Sequence, residues 1–267
     1  MENKVDEVKT AVAKEEIVGA SQPVEESAKA VIAEEVKNAR QEKRIDYRFK
    51  TDLGLKVASG EIKDIDEILG KNLKMLEPQI VDYLIPGLET DFLFIGQSKG
   101  KLGGGKRRII RNTQKVTAKA KRQHFSAMAV VGDKNGHIGI GKGRALESVV
   151  AKDKALKKAK LNMIAIKRGC GSWECACKTP HSIPFKIKGK CGSVIVTLTP
   201  APKGIGFCVA DDIKTILRLA GIKDVWSRVD GQTHTRINLG YATFNALKSL
   251  SSYSVLKSES ESLGMSM

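Results

Sequence analysis

The run Phe125-Ser126-Ala127-Met128-Ala129-Val130-Val131 ends in Gly132-Asp133-Lys134-Asn135-Gly136, and Ile138 and Ile140 resume the apolar pattern. Asn-Gly between two β-like runs is the strongest short-range hairpin signal, because both central turn positions favour positive φ. Upstream, Leu93-Phe94-Ile95 reads as a short strand, Gln97 to Gly105 as a Gly- and Lys-rich loop, and Ile109 to Thr117 as a β-favouring stretch. Downstream, a helix is expected from about Arg144 to Met163, with Val149, Leu156, Ala159 and Met163 along one side and five lysines crowding the rest. Strands followed by one helix define an α+β domain with the helix on one sheet face.

The same segment carries the charge. The chain has 46 Lys plus Arg against 30 Asp plus Glu, a net of +16, and residues 91–168 alone hold 20 bases and 4 acids, also +16. No acid occurs between Phe92 and Gly132. Such an excess makes a polyanion the default partner, a nucleic acid or an acidic membrane surface. No apolar run approaches the roughly 18 residues of a spanning helix, and the acidic start does not resemble a signal peptide. The cytosol is the expected compartment, with no membrane partner.

Lys99, Lys101, Lys106, Arg107, Arg108, Arg111, Lys115, Lys119, Lys121 and Arg122 fall within 24 residues, with a glycine-rich stretch before Arg107. Glycines let a backbone approach a phosphate chain closely. Lysines and arginines neutralise phosphates and release condensed counterions, and arginine adds a bidentate fork. RNA is favoured over DNA. No helix-turn-helix, zinc-finger array or basic zipper is present, and aromatic residues make up only 5%, too few for extensive base stacking. A sheet with a lysine-rich helix suits backbone and shape reading of structured RNA.

Gly139, Gly141 and Gly143, with Lys142 and Arg144, invite a nucleotide-binding reading. Arg144 stands where G-x-G-x-x-G would continue, and no G-x-x-x-x-G-K-[ST] occurs. A tight strand-to-helix connection with phosphate contact from Lys142 and Arg144 is preferred. Cys170, Cys175, Cys177 and His181 read C-x4-C-x-C-x3-H, with Cys191 ten residues on. Thiolate and imidazole donors suit tetrahedral zinc, so a structural zinc staple competes here with reduced thiols. Cys208 sits in an apolar run and is expected in the core.

Residues 1–45 read as a flexible acidic tail and 46–87 as a helical extension. In that extension Ile62, Ile65, Ile68, Leu69, Leu73, Leu76, Ile80 and Leu84 recur at helical spacing. Ile183 to Thr199 reads as a strand pair around Gly189-Lys190. Asp211 or Asp212 can cap a helix that Gly221 ends, and Asn238 can cap a final one. Residues 252–267 read as a flexible tail. Domains are expected at 88–166 and 183–251, joined by a cysteine-rich connector at 167–182.

The block Phe125 to Gly139 resembles the S-five family of small-subunit ribosomal proteins, as do Pro200-Ala201-Pro202-Lys203-Gly204, Leu219 to Trp226 and Ala242-Thr243-Phe244. Cys170-Gly171-Ser172-Trp173-Glu174-Cys175-Ala176-Cys177, followed by Pro180-His181-Ser182, is similar to the archaeal branch. Ala120 and Lys203 stand where that family often has Gly and Arg. The resemblance implies a double-stranded-RNA-binding-like domain, then a carboxyl-terminal α+β domain of the family's own type, and no catalysis. It also implies binding to small-subunit rRNA near the channel through which mRNA enters, contacts with ribosomal proteins S-four and S-eight, and an influence on decoding accuracy. A free RNA chaperone and a metal-dependent enzyme acting on RNA are the rival readings.

Overall fold

The computed structural model describes residues 47–97, 107–175 and 177–265, all within the second of two compact units, 47–267. The acidic tail at 1–45, and Lys99, Lys101 and Lys106 of the basic loop, lie outside the described residues. No helix among the described residues is long and apolar enough to cross a membrane.

Three short helices come first: α1 (Asp52–Ser59), α2 (Ile65–Gly70) and α3 (Gln79–Leu84). The Thr51 hydroxyl accepts the Gly54 N–H and starts α1, and Gly60, at φ 80°, ends it. Ile65, Ile68 and Ile80 are buried as their spacing requires. Leu73 and Leu76, expected on the same stripe, are exposed, because residues 73–77 between α2 and α3 are not helical.

The first sheet contains β1 (Glu89–Phe92), β2 (Arg111–Val116), β3 (Lys121–Gly132), β4 (His137–Ala145) and β5 (Met163–Ala165), with α4 (Ser148–Leu161) between the last two strands. All its pairings are antiparallel. β3 is long enough for β2 to pair with its first half and β1 with its second half along one edge, while β4 takes the other edge. The hairpin forms where Asn135-Gly136 placed it, but the positive φ values fall on Lys134 (63°) and Gly136 (111°), not on Asn135. Asp133 explains the shift: its carboxylate accepts the N–H groups of Asn135 and His137 and so fixes the turn from within.

Alternate residues of β3 enter different cores, as the two-residue strand period dictates. Ala127, Ala129 and Val131 pack against Ala155 and Ala159 of α4 and against Val57, Ile68 and Ile80 of the amino-terminal helices. Met128 and Val130, with Ile138 and Ile140, join Ile213, Ile216, Leu239 and Leu247 of the carboxyl-terminal half in a second core. Each fully buried Ile or Leu contributes roughly 2 kcal/mol. The α4 stripe is therefore alanine, Ala151, Ala155 and Ala159. Val149, expected on it, is 66% exposed.

The second sheet has the order β6 (Ile187–Cys191), β7 (Val194–Pro200), β9 (Val225–Asp230), β8 (Phe207–Cys208). Helices α5 (Asp211–Leu219) and α6 (Arg236–Ser252) belong to this half. The β6–β7 turn lies at Gly192-Ser193 rather than Gly189-Lys190. Gly189 instead permits close packing on α6, where a Cβ would sit 2.1 Å from the Ala242 carbonyl oxygen. Gly221, at φ 79°, follows α5 as expected, but Ala210 rather than an aspartate occupies its N-cap, and Asp212 is buried. Likewise α6 begins at Arg236, two residues before Asn238. A last helix, α7 (Lys257–Ser262), forms within the polar segment expected to be a tail, and beyond it the Leu263 carbonyl accepts the Cys170 N–H at 2.8 Å. The mixed α+β architecture, with helices preceding both sheets, agrees with the expected fold class.

Candidate nucleic-acid interface and metal centre

Strand register decides which basic side chains share a face. Arg111 of β2 and Arg144 of β4 both stand opposite Ser126 of β3, giving one row across three strands. Lys115 pairs with Arg122, and Lys142 with Met128, at positions of the same parity. Arg111, Lys115, Arg122, Lys142 and Arg144 therefore project from the face opposite α4. Among the described residues none of these five side chains has an ion-pair or hydrogen-bond partner, so their positive charge is free to attract an anion.

Not every expected residue joins this group. Lys121 aligns with Val116, on the opposite parity. Lys119 is exposed in the β2–β3 turn, which Thr117 closes by donating its hydroxyl to the Ala120 carbonyl at 2.6 Å. Ala120 fits there without positive φ, so the turn does not need the glycine common in the resembling family. Arg107 and Arg108 are exposed and line a hollow of about 750 Å³ with Phe94, Phe125 and Lys152. The basic residues thus lie on both faces of the β2–β3 hairpin.

The carboxyl-terminal half adds to the open face. A hollow of about 420 Å³ separates Arg111 and Lys142 from His234, Thr235 and Asn238 at the start of α6, and a smaller one of about 300 Å³ lies between Arg111, Ser126, Lys142 and Arg144. Because α6 starts at Arg236 and not at Asn238, His234 and Thr235 stand at its amino end beside the basic strands. His234-Thr235-Arg236 ahead of an amphipathic run was the available signal. Arg236 itself is engaged, its guanidinium donating to the buried Asp212 carboxylate at 2.5 Å.

The glycine run has a purely structural use. A Cβ on Gly139, Gly141 or Gly143 would fall 2.1 to 2.2 Å from backbone atoms of Ala159, Ala159 and Ala151. All three glycines face α4, and their spacing of two serves helix–sheet contact instead of a phosphate loop. Only Lys142 and Arg144 between and beyond them turn outward.

The cysteine connector gathers its four expected donors. The Sγ atoms of Cys170, Cys175 and Cys177 and a ring nitrogen of His181 all lie within 4.8 Å of one another, and this is the group of its kind found among the described residues. Tetrahedral Zn–S bonds of ~2.3 Å would hold sulfurs ~3.8 Å apart, so small side-chain adjustments would admit the ion. Burial pushes the Cys170 thiol up to about 11, whereas the Thr179 hydroxyl and amide hold Cys177 at about 6. Cys191 stays outside the group, and Cys208, expected in the core, is exposed because its strand β8 is a two-residue edge of the sheet.

Two family models match this chain: ribosomal protein S5, N-terminal domain, over residues 109–167, and ribosomal protein S5, C-terminal domain, over residues 189–260. A small ribosomal subunit protein uS5 of Nanoarchaeum equitans is 49% identical over 210 residues, covering 79% of this chain and 90% of the relative. The uS5 protein of Methanocaldococcus jannaschii is 46% identical over 220 residues, 82% of this chain and 94% of its own. That of Picrophilus torridus is 48% identical over 199 residues, 74% and 83% respectively. Identity at this level over about three quarters of the chain or more, with both family models matched in order, leads to one conclusion: the chain belongs to the ribosomal protein S5 family.

Proposed function

We propose that the chain is a structural constituent of the small ribosomal subunit, working in the cytoplasm, and that it acts by positioning small-subunit rRNA rather than by catalysis. The observation that carries this reading is the row Arg111–Ser126–Arg144, extended by Lys142, Lys115 and Arg122 along the part of that sheet face beyond the core that Met128 forms with the carboxyl-terminal half. A row of unpaired cations at strand spacing fits phosphates along an RNA backbone. Each such contact should weaken with salt through counterion release. Lys99, Lys101 and Lys106 are read as extending the same contact from the loop, with Lys119 and Lys121 beside it.

Family membership supports the finer placement near the channel where mRNA enters, contacts with ribosomal proteins S-four and S-eight, and a part in decoding accuracy. We read 88–166 and 183–251 as the two domains, joined through the core shared by Met128 and Ile216. Cys170, Cys175, Cys177 and His181 are read as a structural zinc site in the connector. Sedimentation in high salt tests the central statement. Stoichiometric co-migration with small subunits is expected, and a mostly free pool would favour an RNA chaperone instead.

A further inference from the structure

The connector from Cys170 to Lys186 poses a physical problem. Among its described residues it forms no helix and no strand beyond one bridge of Ser182 to Gly169. A structureless stretch of this length inside a compact unit needs a specific device to hold it. Its buried imidazole supplies the clue. His181 is 5% exposed, and its Nδ1 lies 2.8 Å from Oδ2 of Asp224, itself 4% exposed. That contact leaves Nε2 directed at the Cys175 sulfur, 3.9 Å away. A carboxylate that fixes one ring nitrogen while the other meets thiols is the arrangement by which proteins orient a metal-binding histidine.

Asp224 does more than hold the ring. Its Oδ1 accepts the N–H groups of Gly204 at 3.1 Å and Gly206 at 2.8 Å, in the turn before β8. The His181 carbonyl accepts the N–H of Lys223 at 2.8 Å. Beside it the Ser182 hydroxyl donates to the Asp224 carbonyl at 2.5 Å and accepts the Ala201 N–H at 3.3 Å. On the far side of the cluster the Cys170 N–H donates to the Leu263 carbonyl, and a Cβ on Gly264 would touch the Lys178 carbonyl at 2.0 Å. Four segments distant in sequence are therefore linked here: the connector binds Asp224 and the 263–265 segment directly, and Asp224 in turn holds the 201–206 turn.

We propose that Asp224 is the positioning residue of a Cys3His zinc centre formed by Cys170, Cys175, Cys177 and His181, and that zinc held there orders the 201–206 turn through Asp224 and the carboxyl-terminal segment through Cys170. The inference rests on the zinc reading of the connector and extends it to what the metal controls. Zinc contributes folding energy outright where regular structure is lacking. Removing it frees His181 to rotate, and Asp224 then loses the partner that fixes one of its oxygens.

The test uses the full-length chain. Elemental analysis should give one zinc per chain, and X-ray absorption at the zinc edge should show three sulfurs and one nitrogen. Asp224→Asn keeps an oxygen for Gly204 and Gly206 but offers an amide N–H to His181 Nδ1, favouring the tautomer protonated on Nε2. Its zinc affinity should fall about 10- to 100-fold. Chelation of the wild-type protein should accelerate hydrogen exchange at the Gly204, Gly206 and Cys170 amides while leaving Val130 and Ile140 unchanged. This exchange measurement decides the question even if the variant does not fold. Substoichiometric zinc with freely titratable thiols overturns the zinc reading and the proposal with it. Stoichiometric zinc with unchanged exchange on chelation overturns the coupling alone.

Discussion

Gly141 lies so close to α4 that the Cβ it lacks would sit 2.2 Å from the amide nitrogen of Ala159. The strand and helix backbones touch because one side contributes only hydrogens and the other only methyl groups. Gly141→Ala must force the elements apart, and overpacking against backbone cannot be relieved by a rotamer change. A loss of about 3 kcal/mol in urea unfolding is expected. Gly70→Ala, where nothing lies within 4 Å and φ is not positive, is the control and should change stability by less than about 0.5 kcal/mol. Equal losses would contradict the packing role of the glycine run.

His137 ties the β3–β4 hairpin to α2. Its Nδ1 lies 2.5 Å from Asp133 and its Nε2 2.8 Å from Asp66. Burial of the ring opposes protonation, but the two carboxylates outweigh it and raise the pKa above the ordinary 6.5. Burial likewise opposes ionisation of Asp133, yet His137 and the turn amides prevail and hold its pKa below 3.8. The histidine contribution is complete below 6.5 and disappears as pH rises through the raised value. The aspartate contribution is complete above 3.8 and disappears as pH falls through the lowered value. The pair therefore stabilises most between roughly pH 4 and 6.5. His137→Gln should show its largest stability deficit near pH 5.5, shrinking by pH 8.5. A deficit constant across that range would contradict the assignment of charge to His137.

Arg236 and Asp212 join the first turns of α6 and α5 through a contact whose acid side chain is 4% exposed. Arg236→Ala leaves a buried carboxylate without its partner, a change that costs roughly 3 kcal/mol or more. Asp212→Asn with Arg236→Met removes both charges and should recover much of that loss. Chemical denaturation of the three variants checks the order, and a double variant no better than the single one would contradict it.

What the sequence made legible follows from which signals are local. The β3–β4 hairpin was visible because alternation and Asn-Gly are short-range, and the cysteine group because its ligands lie within twelve residues. Long-range contacts stayed hidden. Nothing local distinguishes Gly139, Gly141 and Gly143 against a helix from glycines around a phosphate, since the helix lies beyond the turn. The edge position of Cys208 and the Asp212–Arg236 pair depend on elements placed by tertiary packing. Asp224 could not be linked to His181 by spacing, with more than forty residues between them. The basic face was half legible: the charge was plain, but the division between Lys121 and the Arg111 side required strand register.

Incorporation of Arg111→Glu with Arg144→Glu into small ribosomal subunits tests the central claim most directly. Both side chains are exposed and flank Ser126, so reversing them places two negative charges where phosphates are expected. A double reversal of Lys9 and Lys14, in the acidic amino-terminal stretch, is the comparison. The Arg111 and Arg144 pair should reduce subunit occupancy at least tenfold at moderate salt and lower the salt dependence by about one per lost phosphate contact, with the comparison pair near wild type. Equal incorporation of both variants would contradict a functional RNA contact at this face.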